Sequence, residues 1–190
     1  MKLNDVLAGV TITSGDIQDV EITGVCYDTR AMIPGCLFVA LPGYKTDGHK
    51  FIQTALERGA AAVLCRRPPE GEGPWLTTPD PRAALAAASA NWFGHPAEEL
   101  TVLAVTGTNG KTTTTYLLKA MLEGVLGAKV GLIGTNQNMI GSEVVPTERT
   151  TPESFELQGL FARMRDAGCT HVVMEVSSHA LALDRVYGIH

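Results

Sequence analysis

Short apolar runs set the rhythm of the chain. GCLFVAL (35–41) and AAAVLCR (60–66) read as buried strands, and GHKFIQTALERG (48–59) between them predicts a helix stopped at Gly59, so this stretch is a strand-helix-strand unit. PDPRAALAAASANWFG (79–94) favours helix through its alanines and is halted by Gly94, after which the proline-bearing HPAEEL marks a boundary near residues 94 to 99. That boundary predicts two domains, 1–95 and 96–190. A second alternation follows, with a strand at 101–106, a helix at 111–123, a strand KVGLIGT (129–135), a loop or hairpin through NQNMIGSEVVPTERT, a helix at 152–167 and a strand HVVMEVS (171–177). Strands alternating with helices predict an α/β fold, a mostly parallel sheet covered on both faces. Ligands gather at the carboxyl ends of such strands, where Gly107, Gly134 and Ser177 fall.

Composition narrows the picture. At 190 residues and 45% hydrophobic content the chain has material for a substantial core, and a net charge of −5 without a basic run speaks against nucleic-acid binding by charge. Met1-Lys2-Leu3-Asn4-Asp5 leads into no signal-like apolar segment, and no run approaches the roughly 18 apolar residues of a membrane span, so the expectation is a soluble protein of the cytoplasm. Cys26, Cys36, Cys65 and Cys169 are scattered without a C-x-x-C pair, which fits reduced, buried thiols better than a zinc site or disulfides.

Candidate chemistry begins at VTGTNGKTTT (105–114). A phosphate loop has the form G-x-x-x-x-G-K-[ST]; here Val105 stands at the first glycine, but Gly107, Gly110, Lys111 and Thr112 keep the remainder between a strand and a helix. A bare strand-to-helix turn would leave Lys111 a cation at the positive end of a helix, which is unfavourable unless an anion sits there. Downstream, Glu175 lies at the end of an apolar strand of the same sheet; it either points to solvent or meets a cation, for which Mg²⁺ held with the Thr112 hydroxyl and ATP oxygens is the natural choice. In ERTTPESFELQGLF (148–161), Thr151 with Pro152, or Thr150 with Glu153, predicts a helix cap, and the adjacent hydroxyls of Thr150 and Thr151 equally suit an anion site. His179 reads as readily as a packed helix residue as a site residue, and Arg185 as readily as a surface residue. In the first domain, Asp28-Thr29-Arg30 precedes a strand and Gly43-Tyr44-Lys45-Thr46-Asp47-Gly48-His49 follows it, a loop suited to a sugar or nucleoside as well as to an ordinary turn.

Taken together, VTGTNGKTTT, GLIGT, RTTPES and MEVSSHALALDRV, preceded by DTR and PGCLFVALPGYKTDGHKFI, resemble the Mur ligases, most closely the MurE branch, across nearly the whole chain. The resemblance accounts for Val105, since that family uses the shorter T-G-T-N-G-K-T loop. It implies a small N-terminal α/β UDP-binding domain followed by part of a P-loop, Rossmann-like ATPase domain with a parallel sheet. It also implies an ATP- and Mg²⁺-dependent ligase, a monomer, that joins a diamino acid, meso-diaminopimelate rather than L-lysine, to UDP-MurNAc-L-Ala-D-Glu through an acyl phosphate. Carried over by position, Gly107, Thr108, Asn109, Gly110, Lys111, Thr112 and Thr113 hold ATP, with Lys111 and Glu175 catalytic and Thr112 and Glu175 on the metal. Thr150, Thr151, Ser177 and Arg185 match contacts to the muramoyl-peptide, and Tyr27, Thr29, Tyr44, Lys45 and Thr46 match the uridine diphosphate site. His179 takes a supporting place in the S-S-H-A-L run.

Leu183 and Arg149 depart from residues found in some relatives, Gln and Asn respectively. The family's metal-binding modified lysine has no counterpart among the six lysines here, 2, 45, 50, 111, 119 and 129, and the amino-acid-binding domain is not represented either. The expectation is therefore an incomplete enzyme, inactive as this chain, whose last strand lies at an open sheet edge. Two other readings stand beside it: another P-loop ligase resembling folylpolyglutamate synthetase, and a non-catalytic nucleotide-sugar-binding module.

Overall fold

The computed structural model describes residues 1–16, 18–43 and 46–190. The chain divides into two compact units, Met1–Trp92 and Phe93–His190. The first opens with the short helix α1 (Leu3–Val6) and builds a four-stranded sheet from β1 (Val25–Cys26), β2 (Leu37–Val39), β3 (Ala62–Cys65) and β4 (Trp75–Thr77). All neighbours are parallel and the strands lie in chain order, with a 3₁₀ turn (Thr29–Ala31) in the first crossover, a helix in the second and a helix-free segment in the third. Between β2 and β3, a 3₁₀ turn (Gly48–Phe51) runs into α2 (Ile52–Glu57), which packs Ile52 and Ala55 against Phe38, Val63 and Cys65. Helix α3 (Pro81–Phe93) starts at Asp80, whose carboxylate accepts from Arg82 N and Ala83 N at 3.0 and 3.1 Å, with Pro81 at the first helical position.

The second unit forms a five-stranded sheet in the order β5-β9-β6-β7-β8, from β5 (Thr101–Val105), β6 (Val130–Ile133), β7 (Asn138–Ile140), β8 (Glu143–Val145) and β9 (His171–Glu175). Strands β5, β9 and β6 are parallel, and the β7–β8 hairpin extends the sheet antiparallel to β6. Alternation along the strands covers both faces. Leu132, Val130 and Val173 point to α4 (Lys111–Leu126), against Leu118 and Leu122, while Ile133, Val172 and Met174 join Leu157, Phe161 and Met164 of α5 (Ser154–Asp166). A short helix, α6 (Ser178–Ala182), follows β9.

Three expectations need correction. The last strand is not at an edge: β9 lies between β5 and β6 and is buried from Val172 to Glu175, and the parallel side of the sheet ends at β5. Helix α4 does not stop at 123 but runs through Gly124 to a left-handed Gly127, since one interior glycine costs only about 1 kcal/mol. Helix α5 begins two residues late, at Ser154, and its N-cap, Glu153, makes no side-chain cap bond. The threonine and glutamate expected to cap it are engaged elsewhere, as described next.

Candidate active site

The three parallel strands of the second unit bring the ends of β5, β6 and β9 to one edge, with Val105 paired to Glu175 and Ile133 to Met174. Beyond β5 the chain turns through Thr106–Gly110 into α4. Gly107 and Gly110 have φ of 143° and 82°, in the region that favours glycine, and an added Cβ at Gly110 would meet nothing within 4 Å, so the bend serves to open the loop rather than to pack it. Gly110 is the N-cap of α4 and offers no side chain to the first amides of the helix. The Lys111 ammonium curls back over this loop to the Gly107 carbonyl at 2.7 Å. The first amides of α4, which have no acceptor within the helix and no capping side chain, lie beside a primary amine, the arrangement that cradles a phosphate chain in strand-loop-helix sites.

Glu175 closes the other side. It is 1% exposed, and among the described residues no cation pairs with it; its partners are hydrogen-bond donors. The Thr112 hydroxyl donates to Oε1 at 3.0 Å, the Thr135 amide donates to Oε1 at 3.0 Å, and the Thr135 hydroxyl lies 3.1 Å from Oε2. Gly134 makes this approach possible, because a Cβ there would sit 2.5 Å from Glu175 Oε1. The Gly134 amide is anchored on the buried Asn138 side chain at 3.3 Å. A hydroxyl and a carboxylate oxygen side by side are hard donors that suit Mg²⁺, which keeps waters and phosphate oxygens for its remaining positions. Among the described residues no cluster of three or more His, Cys, Asp or Glu side chains could hold a metal without such help. The residues present therefore fit a magnesium-nucleotide and do not form a closed protein cage.

The start of α5 lies against the same strand end. Thr151, 1% exposed, donates its hydroxyl to the Glu175 carbonyl at 2.9 Å and accepts from Ser177 N at 3.1 Å. It joins the helix start to the end of β9 instead of capping α5. Glu153 forms a buried ion pair with Arg185, Oε1 to Nε 2.8 Å, and Arg185 Nη1 donates to the Thr151 carbonyl at 3.0 Å. Arg185 is thus mostly buried rather than a surface residue, with a side chain 14% exposed. Ser177 caps α6 by accepting from Ala180 N at 3.1 Å, and His179 is exposed on that helix. Thr150 is half-buried and lies 3.0 Å from the Thr135 hydroxyl.

In the first unit the adjacent parallel strands β1 and β2 lead, at the same end of the sheet, into Tyr27 and Thr29 and into residues 40–43. Thr29 opens a 3₁₀ turn capped by Asp28, and the Thr29 carbonyl accepts from Arg58 at 2.6 Å. The Arg30 guanidinium beside Asp28 holds that carboxyl below its ordinary range. Tyr44 and Lys45 lie outside the described residues; Thr46 is exposed. At the end of the loop, His49 Nε2 accepts from Arg66 N at 3.0 Å, so its Nδ1 carries the proton that faces Asp47 at 2.6 Å and ties the loop to the end of β3.

The structure places the expected Lys111, Thr112, Glu175, Thr150, Thr151, Ser177 and Arg185 at this edge of the second unit, together with Thr135, which the motifs do not single out, and Glu153, expected only as a helix cap. The signal for Thr135 was present in GLIGT, as a hydroxyl directly after the glycine that ends a buried strand.

Fold and site together define an α/β protein with a glycine-opened strand-to-helix loop and a buried acid at the end of a neighbouring strand. Residues 105–190 match the Mur ligase middle domain and residues 21–93 the Mur ligase family catalytic domain. The chain belongs to the Mur ligase family. It is 49% identical over 189 residues to a UDP-N-acetylmuramoyl-L-alanyl-D-glutamate–2,6-diaminopimelate ligase of Caldanaerobacter subterraneus subsp. tengcongensis, covering 98% of this chain and 39% of the relative. The ligase of the same name from Chlorobium phaeobacteroides is 46% identical, covering 100% of this chain and 38% of the relative. A solved structure of such a ligase superposes with a TM-score of 0.78 at 27% identity, covering 99% of this chain and 38% of that one. MurF from Acinetobacter baumannii gives 0.60 at 25% identity, over 93% and 35%. The chain thus spans about two fifths of the length of these relatives. Among the described residues no helix is long and apolar enough to cross a membrane.

Proposed function

We propose that this chain provides the UDP-MurNAc-L-Ala-D-Glu and ATP sites of a cytoplasmic peptidoglycan-precursor ligase that adds meso-diaminopimelate, the diamino acid in the names of its relatives. The observation that carries the reading is the buried Glu175 carboxylate beside the Thr112 hydroxyl, across from the Lys111 amine and the open helix end. When bound, ATP with Mg²⁺ supplies the phosphoryl group that activates the D-glutamate carboxylate. The chain's own residues position that event. Amides of Gly107 through Thr113 hold phosphate oxygens, Lys111 offsets the charge that shifts during transfer, and Thr112 with Glu175 presents oxygens to the cation. Thr150, Ser177 and Arg185 serve the muramoyl-peptide end, with Thr151 fixing the backbone they depend on. Tyr27, Thr29 and the Tyr44-Lys45-Thr46 loop serve the uridine diphosphate, which assigns residues 1–95 to that ligand and 96–190 to ATP.

Calorimetry with UDP, UDP-MurNAc-L-Ala-D-Glu and Mg·ADP tests the reading. Binding of the muramoyl-dipeptide nucleotide and of Mg·ADP is expected. Failure of both to bind, or preference for a folate, would overturn the assignment.

A further inference from the structure

The hydroxyl of Thr135 has one proton and two acceptors. Thr150 Oγ1 lies 3.0 Å away on the muramoyl-peptide side, and Glu175 Oε2 lies 3.1 Å away on the nucleotide side. The backbone that carries the hydroxyl is held from beneath. The Thr135 amide is bonded to Glu175 Oε1, the Gly134 amide to buried Asn138, and Gly134 leaves no space for the corner to shift toward Glu175. With the oxygen within reach of both, rotation of the O–H chooses between the acceptors.

We propose that Thr135 is a positioning residue that couples cation-nucleotide binding at Glu175 to recognition of an oxygen-bearing ligand at Thr150, a coupling that rests on the function proposed above. Hydrogen bonds to an ionised acceptor are about twice as strong as neutral ones, so an uncompensated Glu175 carboxylate draws the Thr135 proton. In that setting the two threonines are joined only if Thr150 spends its own proton on Thr135. A divalent cation on Glu175 neutralises part of the carboxylate charge and weakens its claim. The Thr135 proton then turns to Thr150 Oγ1, and the Thr150 O–H is released to donate to a carboxylate or carbonyl oxygen of the ligand. The linkage is reciprocal: a ligand oxygen that takes the Thr150 proton favours the rotamer in which Glu175 is left for the cation.

The test is calorimetric titration of UDP-MurNAc-L-Ala-D-Glu into the protein with and without saturating Mg·ADP, for wild type, Thr135→Ser and Thr135→Val. Mg·ADP is expected to tighten binding about fivefold in wild type, at the lower end of ordinary coupling. Thr135→Ser, which keeps the hydroxyl, retains the enhancement, and the near-isosteric Thr135→Val abolishes it. Thr135→Ala stands in if the valine variant fails to melt cooperatively. An undiminished enhancement in the hydroxyl-free variants, or none in wild type, overturns the coupling while leaving the proposed function intact. Absence of all binding by wild type overturns the function itself and the coupling with it.

Discussion

The two units solve the interior of a parallel sheet differently. In the first, the buried strands are almost wholly apolar, and the buried polar residues, Thr77, Thr78 and Ser89, are small hydroxyls, of which Thr77 meets Thr13 and Ser14 and Ser89 bonds its own helix. In the second, the interior holds, besides the hydroxyls of Thr115, Thr151 and Ser154, the larger polar groups of Lys119, Asn138, Glu153, Gln158 and Glu175. Lys119 pairs with Glu123, Glu153 with Arg185, and Glu175 with a ring of donors. A carboxylate costs several kcal/mol to bury and is retained only with partners or a cation. The comparison teaches where this molecule gives up apolar packing for buried charge: the first unit keeps its charged groups on loops around an apolar frame, and the second places them inside the frame.

The largest expected effects test that contrast directly. Glu153→Ala strands the Arg185 guanidinium and should destabilise the protein by about 3–5 kcal/mol, while Phe38→Ala should cost about the same through a cavity. Denaturant unfolding measures both, and the contrast breaks if Phe38→Ala weakens Mg·ADP binding as much as Glu153→Ala does. Lys111→Ala should leave stability within about 0.5 kcal/mol. Assayed in a full-length ligase that carries this segment, the same change should lower turnover by about 10²–10³, the loss of roughly 3–4 kcal/mol of transition-state stabilisation. Near-normal phosphate release at saturating ATP would remove Lys111 from the mechanism. Gly134→Ala forces a methyl against Glu175 Oε1 and should cost about 1–3 kcal/mol together with nucleotide affinity, read by thermal melts with and without Mg·ADP.

The smallest effect belongs to the first unit's surface. The Asp28 carboxyl is depressed by its hydrogen bond from Arg30, so the pair stabilises the fold above the ordinary aspartate value of 3.8 and loses that contribution as pH falls through the folded value. With Arg30 on the surface, Arg30→Ala should cost no more than about 1 kcal/mol at neutral pH, and a pH series of melts should show the two proteins converging in acid.

Much of the fold was legible because apolar runs of strand length alternate with helix-length segments, and Gly107, Gly110 and Lys111 carry their chemistry in local order. The start of α5 was misread for a specific reason. Thr151 and Glu153 are good cap residues by type, but their polar atoms are claimed by Glu175, Ser177 and Arg185 from beyond the helix, and a local pattern holds no record of that competition. Thr135 escaped for a related reason, since its importance lies in two partners, Thr150 and Glu175, that only the sheet brings together. The place of β9 was hidden too, because chain order does not reveal that a late strand inserts between two earlier ones.

That insertion has a consequence for synthesis on the ribosome. Strands β5 and β6 do not touch as neighbours; each pairs with β9, and the register joins residue 105 to residue 175. While the nascent chain carries the loop before α4 and α4 itself but not yet β9, the sheet has a gap at its centre, and Leu132, Ile133 and Val130 await a partner strand. Pairings this distant in sequence close slowly. The first unit, whose strands pair in the order they are made, is free to fold while the second is still being translated, and the half-made second sheet is the stage at which a chaperone would find its substrate.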